Sequence, residues 1–391
     1  MTDKLLPATA DHSDANAIIR ERTGILPPAP AEGRLPPKTH TGPVDWIHRN
    51  LFPDWRQGLL TIVVLYLLYL SLPGLYNWAI GNATWVGDRA DCVANGGACW
   101  AFVNARWGQF MYGFYPAAER WRVDLTFVLL IASVAPMLFP GTPGKRWFLA
   151  FSLLLYPIIA FFLLYGGILG LPVVEAARWG GFMLTLVVAI SGMVGSLPLG
   201  ILLALGRRSK MTVIRLFCTT FIELFRAVPL ITVLFMASVM LPLFMPQGFT
   251  LDKLLRALIG VALFNGALMA EVIRGGLQAI PRGQYEAATA SGMGYWRMMT
   301  FVILPQALRI VIPGIVNTYV AIIKDTTLVL IIGLFDLLGI VQAGIADSNW
   351  LSASVTKTGY VFAGMGFWVL CFGLSRYSMY LERRLNTGHN T

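Results

Sequence analysis

The apolar positions of this chain come in long unbroken runs, unlike the alternation or helical striping of a soluble domain. Runs of membrane-spanning length fall near residues 57–75, 123–140, 147–170, 180–205, 217–243, 255–274, 306–333 and 358–380. A helix rises about 1.5 Å per residue and the hydrocarbon core is about 30 Å thick, so about 20 apolar residues make one crossing. Lipid offers no partner to backbone N–H and C=O groups, and a helix satisfies them internally. The pattern therefore predicts an all-α integral membrane protein, a polytopic helix bundle of about eight spans.

One stretch between runs differs in kind. Residues 286–305 read E-A-A-T-A-S-G-M-G-Y-W-R-M-M-T-F-V-I-L-P, preceded by Ile280-Pro281-Arg282-Gly283 and followed by Gln306-Ala307-Leu308-Arg309. Pro281 stops the preceding run, and Gly283 gives a flexible entry. Glu286 puts a carboxylate in the first turn of a short helix, where it complements the helix dipole. Ala287, Ala288, Ala290, Ser291 and Gly292 have almost no bulk, so a partner surface can approach the backbone closely. Tyr295, Trp296, Met298, Met299 and Phe301 form an amphipathic anchor, and Leu304-Pro305 launches the next span. Two readings remain open: a docking surface for a soluble partner, and an interfacial helix that only joins two spans.

Composition and charge add orientation. The chain is 56% hydrophobic and 13% charged, with a net charge of +10, a balance that belongs to a protein solvated by the bilayer. Arg49, Arg56, Lys145, Arg146, Arg207, Arg208, Lys210, Arg215, Arg274, Arg282, Arg297, Arg309, Arg376, Arg383 and Arg384 all fall on one side of an eight-span arrangement. The stretches on the other side, 76–122, 171–179, 242–254 and 334–357, are poorer in basic residues for their length. The positive-inside rule then places both termini and the 275–305 loop in the cytoplasm. No basic run interleaved with aromatics lies outside the spans, which excludes nucleic acid as a partner. Met1–Arg22 is polar and acidic, without the apolar core of a signal peptide. The prolines at 27, 28, 30, 36, 37 and 43 make 1–56 a flexible cytoplasmic tail. A composition break near Pro172 separates three accessory spans over 57–175, with an aromatic-rich periplasmic loop at 76–122, from five spans over 176–385. No strong internal repeat supports an inverted-repeat carrier.

Chemistry-bearing residues are few. Cys92 and Cys99 have six residues between them in the first outward loop. A disulfide in an oxidising compartment fits this spacing, and two free thiols are the alternative. Metal is the weakest reading, because two thiolates without a histidine do not fill a zinc site. Glu223 with Arg226, and Glu271 with Arg274, are three apart on one helix face and read as structural charge pairs. Pro229 is expected to kink or break its helix. Lys324 and Asp325 lie about 28 Å along a helix from Pro305, toward the outer half of the bilayer. Either they meet the carboxylate and ammonium of a zwitterionic substrate, or they pair between helices and snorkel. Asn317 and Thr318 are further candidates for the substrate path. The four histidines (12, 40, 48 and 389) lie outside the spans, leaving no embedded pair for a membrane enzyme.

The pattern Glu286-Ala287-Ala288, Gly292, Val302, Leu304-Pro305 resembles the signature of bacterial ABC importer permeases, with Val302 where Ile is usual. The stretches A-E-V-I-R-G-G-L-Q-A-I-P-R-G-Q (270–284), L-P-Q-A-L-R (304–309), K-D-T-T-L (324–328) and E-L-F-R-A-V-P-L (223–230) resemble its polar amino-acid branch. The resemblance covers about 180–385, and the extra N-terminal spans look like the M-type permease of general L-amino-acid transport systems. It implies a type I permease core of five spans in the bacterial inner membrane. Glu286, Ala287, Ala288, Gly292, Leu304 and Pro305 would form the ATPase-coupling region. It implies four partners: an ABC ATPase carrying ATP and Mg, a second homologous permease, a periplasmic amino-acid-binding protein and the lipid membrane. No cofactor or metal is expected in this chain. Consistent with that division, the chain has no phosphate loop: in the Gly141–Lys145 fragment, Phe139 and Arg146 occupy the positions that need Gly and Ser/Thr. Other readings are an ABC permease for another small solute, an ion-coupled secondary carrier, and a membrane anchor without transport.

Overall fold

A computed structural model of the protein describes residues 42, 46–47, 50–139, 142–168, 170–246 and 251–386. Most of the expected 1–56 tail and all four histidines lie outside the described residues. Two compact units divide between Leu75 and Tyr76, whereas the composition changes near Pro172. In the first unit, α1 (Trp55–Tyr76) is long and apolar enough to cross a membrane.

The second unit begins with a surprise. The stretch expected as a loop at 76–122 folds into α2 (Arg89–Asn95) and α3 (Trp100–Tyr112). Asp88 caps α2 by accepting from Ala90 and Asp91 N–H, and Asp91 returns the bond to the Asp88 backbone, satisfying donors that a helix start leaves unpaired. Next come α4 (Arg120–Leu138), α5 (Lys145–Ala150) and α6 (Tyr156–Tyr165), the last two joined by a π turn at Phe151–Leu155. Pro157 supplies no N–H to the preceding turn, which widens there. Arg122, at the edge of the expected loop, is wholly buried. It pairs with Glu119 at 3.0 Å, donates to the Pro172 carbonyl at 3.1 Å and lies over the Tyr115 ring.

The remainder is α7 (Gly181–Arg207), α8 (Thr212–Ala227), α9 (Leu230–Phe235), α10 (Lys253–Ala279), α11 (Arg282–Ala290), α12 (Tyr295–Met298), α13 (Leu304–Ile310), α14 (Ile312–Asp325), α15 (Leu337–Ile345) and α16 (Ala353–Asn386). Among the described residues five helices are long and apolar enough to cross a membrane, or six if the bent pair α8 with Leu230–Phe244 counts as one span. That pair is the run 217–243, broken at Pro229 as expected. It bends by 105° because Pro229 has no N–H and drives Val228 to an extended conformation. The run 306–333 is likewise not one helix. Pro313 breaks it at Val311, and a 3-10 turn at Thr326–Ile332 ends it.

The longest packing seam joins α7 and α10, where small residues let the backbones approach. A Cβ on Gly266 would stand 2.5 Å from the Leu199 side chain, and one on Gly200 would stand 2.7 Å from Met269, so neither position admits a larger residue without a shift. The stretch 334–357, expected as a loop, holds the buried helix α15. Asp336 caps it by accepting from Gly339 N–H at 2.9 Å. One cluster gathers Phe102 and Phe110 of α3 with Ile340 and Val341 of α15 and Val355 of α16. The segment carrying α3 therefore shares a hydrophobic core with α15 and α16.

Candidate coupling site

The short polar helix stands apart from the seam because its chain stops are local. Ile280 is extended and Pro281 opens α11, so the long α10 ends and the chain turns. At the far end Gly292 adopts φ +73°. Gly292 N–H donates to Thr289 O at 3.0 Å and Met293 N–H to Ala288 O at 3.2 Å, the paired bonds of a Schellman stop that glycine accommodates without strain. Glu286 and Ala287 are exposed, whereas Ala288 is 5% exposed and turned into the bundle. Leu304 packs against the cluster beneath, and Pro305 is exposed. A Cβ at Gly283 or Gly292 would meet nothing within 4 Å. The result is a low, open ridge of small residues with one unpaired carboxylate, Glu286, among the described residues. Trp296 and Phe301 beside it are 67% and 75% exposed, wide apolar surface next to the ridge.

Two contacts fasten the ridge to the bundle. Gln306 Nε2 donates to Gln284 Oε1 at 3.3 Å, which ties α11 to α13. Tyr285 turns inward, and its hydroxyl donates to the Leu277 carbonyl of α10 at 3.0 Å. Arg208, just past the end of α7, donates to that hydroxyl at 3.0 Å and to the same carbonyl at 3.2 Å. Its guanidinium also lies 5.5 Å from the Tyr285 ring centre.

Next to it, the two charge pairs expected from spacing merge into one network. Glu223 and Arg226 on α8 lie 3.8 Å apart, and Arg274 reaches Glu271 on α10 at 2.7 Å. Arg207, the last residue of α7, joins them: it pairs with Glu223 at 3.0 Å and forms a close ion pair with Glu271. Arg226 also reaches Glu271 at 3.8 Å. Sequence spacing identifies only the i,i+3 pairs. The hub, Arg207, has no local signal except its place at a helix end, where a cation complements the dipole.

The candidate substrate-path residues do not converge. Asn317 lines an open groove of about 450 Å³ between α14 and α16, with Trp368, Phe372, Ser375 and Glu382 among its walls. Thr318 faces away from it and donates to the Gly314 carbonyl at 3.0 Å. Lys324 and Asp325 lie outside that groove, with no ion pair within 4 Å among the described residues. Cys92 and Cys99 are bonded, with Cα atoms 5.3 Å apart. The clip sits against α16: Thr358 Oγ1 accepts from Cys99 N–H at 2.8 Å, and Ser354 Oγ donates to the Cys92 carbonyl at 3.3 Å. Among the described residues no group of three or more His, Cys, Asp or Glu could hold a metal ion.

Residues 196–387 match the family model described as binding-protein-dependent transport system inner membrane component. The chain is 54% identical to the inner membrane amino-acid ABC transporter permease protein YhdY of Escherichia coli (strain K12), over 88% of this chain and 93% of that protein. It is 38% identical to the glutamate/glutamine/aspartate/asparagine transport system permease protein BztC of Rhodobacter capsulatus, over 94% and 98% respectively. The probable glutamine ABC transporter permease protein GlnP of Bacillus subtilis is 31% identical, but covers 54% of this chain and 94% of itself. The first two relatives match most of this chain, and the third matches 209 residues of it.

Proposed function

Since this chain belongs to the family of binding-protein-dependent inner membrane transport components and is a permease subunit of an amino-acid ABC importer, we propose that α11 is the coupling helix on which a separate ATPase subunit seats. The observation that carries this reading is the open ridge of Glu286 and Ala287, stopped by Gly292 and fastened beneath by Tyr285 and Gln284. Small residues on an open ridge let a partner's cleft close on the backbone, and Glu286 offers it one unpaired carboxylate. ATP and Mg then belong to the partner, in keeping with the missing phosphate loop.

In this reading the ridge, both termini and the basic loops face the cytoplasm, as the distribution of Lys and Arg supports. The α2–α3 segment faces outward, where a disulfide is stable and an amino-acid-binding protein delivers cargo. A second, related permease completes the path, and Lys324, Asp325 and Asn317 are the residues assigned to it. The cargo class is L-amino acids, with the acidic residues and their amides of the Rhodobacter relative as the leading set.

The test is co-purification of the ATPase with Glu286→Lys, together with uptake by reconstituted vesicles with and without ATP. Loss of the ATPase and of ATP-dependent uptake supports the reading. Full retention of the ATPase, or uptake that needs no ATP, overturns it.

A further inference from the structure

Arg207 and Arg208 are consecutive, yet their side chains serve two separate assemblies. Arg207 holds Glu223 of α8 and Glu271 of α10. Arg208 holds Tyr285 of α11 by its hydroxyl and its ring face, and the Leu277 carbonyl that Tyr285 also binds. The two Cα atoms are a fixed ~3.8 Å apart across one planar peptide. Arg208 is the C-cap, its backbone outside the helical region, and its N–H still bonds to Leu205 O at 3.1 Å. Both side chains therefore leave the same end of α7, and a shift of that end moves both of their anchors.

We propose that the Arg207-Arg208 pair is the transmission link of this permease. Arg208 follows Tyr285 when the ATPase moves α11, and Arg207 passes that movement to the ionic network that ties α8 and α10 to α7. This rests on the reading of α11 as the coupling helix. Three properties suit the pair to the task. One guanidinium nitrogen of Arg208 engages two acceptors while the cation lies against a ring, so the side chain is pulled as well as pushed. The network it leads to is the place where α7, α8 and α10 are joined by charge rather than by packing alone. Ion pairs exchange partners at small displacement, whereas an interlocked core does not, and Glu271 already faces three arginines. Arg207 and Arg208 are positioning residues: neither needs to touch substrate or nucleotide.

The experiment uses the complete complex in vesicles, with uptake of a mixture of radiolabelled L-amino acids and ATP hydrolysis read on the same preparation. The quantity that matters is amino acid moved per ATP hydrolysed, which a purely structural role leaves constant while it lowers both rates together. Arg208→Gln is expected to lower that ratio by about threefold or more, the span typical of a broken coupling path. Tyr285→Phe keeps the ring under the cation and is expected to give a smaller fall. Arg208→Lys keeps the charge but not the planar group against the ring and is expected to fall between Arg208→Gln and the unaltered protein. Arg208→Gln with Tyr285→Phe is expected to be no worse than Arg208→Gln alone, because both cut one link. An unchanged ratio in Arg208→Gln and Tyr285→Phe overturns the link, as does a double variant whose two losses multiply. If Arg208→Gln does not assemble, Tyr285→Phe, which removes one hydroxyl, decides alone. Glu286→Lys separates the two readings. If it still co-purifies with the ATPase, docking at α11 fails and the link fails with it. If it loses the ATPase while Arg208→Gln keeps a normal ratio, only the link fails.

Discussion

Arg207 of α7 stands 3.0 Å from Glu223 of α8 and also pairs with Glu271 of α10. One guanidinium thus bridges two carboxylates on different helices, and their own i,i+3 arginines complete the charge balance. The carboxylate at Glu271 has 17% of its side chain exposed and the one at Glu223 has 53%, so losing the hub leaves the former the more costly orphan.

Arg207→Met is therefore expected to lower stability by about 1–2 kcal/mol, since it strips a partly buried carboxylate of a charge-assisted bond. Arg226→Met, whose two contacts are both 3.8 Å, is expected to cost less than half as much. Thermal unfolding of the purified variants in detergent orders the two. Equal shifts would remove Arg207 from the centre of the network.

Gly292 sits at φ +73° with open space where a side chain would project, so the cost of substitution is conformational. Gly292→Ala is expected to cost about 1–2 kcal/mol at the helix stop. Gly292→Asn, which tolerates the left-handed region, is expected to cost less, and Gly292→Val, being β-branched, more. ATPase retention on co-purification is expected to follow the order Gly, Asn, Ala, Val. A steric order instead, with Asn and Val equally poor, would mean the ridge must be bare at 292 rather than correctly turned.

The Cys92–Cys99 bond closes a short loop, and removing it is expected to release about 2.5 kcal/mol of constraint on the unfolded chain. Cys92→Ser with Cys99→Ser is expected to lower the unfolding temperature, and reductant is expected to have the same effect on the unaltered protein and none on the variant. Alkylation at 92 and 99 is expected only after reduction. Labelling without reductant would contradict the bond.

Asp336 is fully buried at the start of α15, and burial pushes its carboxyl up to about 6. Its backbone hydrogen bonds, to Gly339 first, act the other way and are outweighed. A carboxyl whose folded pKa exceeds its unfolded one binds more protons in the native state, so stability falls as pH rises from about 4 to about 6 and then levels off. A two-unit rise corresponds to about 3 kcal/mol at most. Asp336→Asn keeps an acceptor for Gly339 N–H and is expected to flatten that part of the profile. An unchanged profile would assign the slope to another group.

Much of this was legible from particular residues. Pro229 marked the break between α8 and α9, because a missing N–H acts wherever proline falls. The paired spacings Glu223/Arg226 and Glu271/Arg274 marked one helix face each. The helices in 76–122 and 334–357 were written less loudly: Asp88 with Asp91, and Asp336 ahead of an apolar run, are capping signals that lie in segments read as loops because they are short. The size of the 105° bend, the burial of Arg122 and the inward turn of Ala288 had no local signature.

The sequence by itself determined the membrane class, the helix stops and the small-residue ridge at 286–292, because hydropathy, proline and glycine act within a turn or two of chain. Only the tertiary structure decided that Arg207 closes two separate pairs into one network and that Arg208 grips Tyr285, 77 positions away. It also decided that the disulfide-clipped segment packs on α15 and α16. Those contacts join helices distant in sequence, and their partners are chosen by how small residues such as Gly200 and Gly266 let α7 and α10 approach, a quantity set by packing in three dimensions.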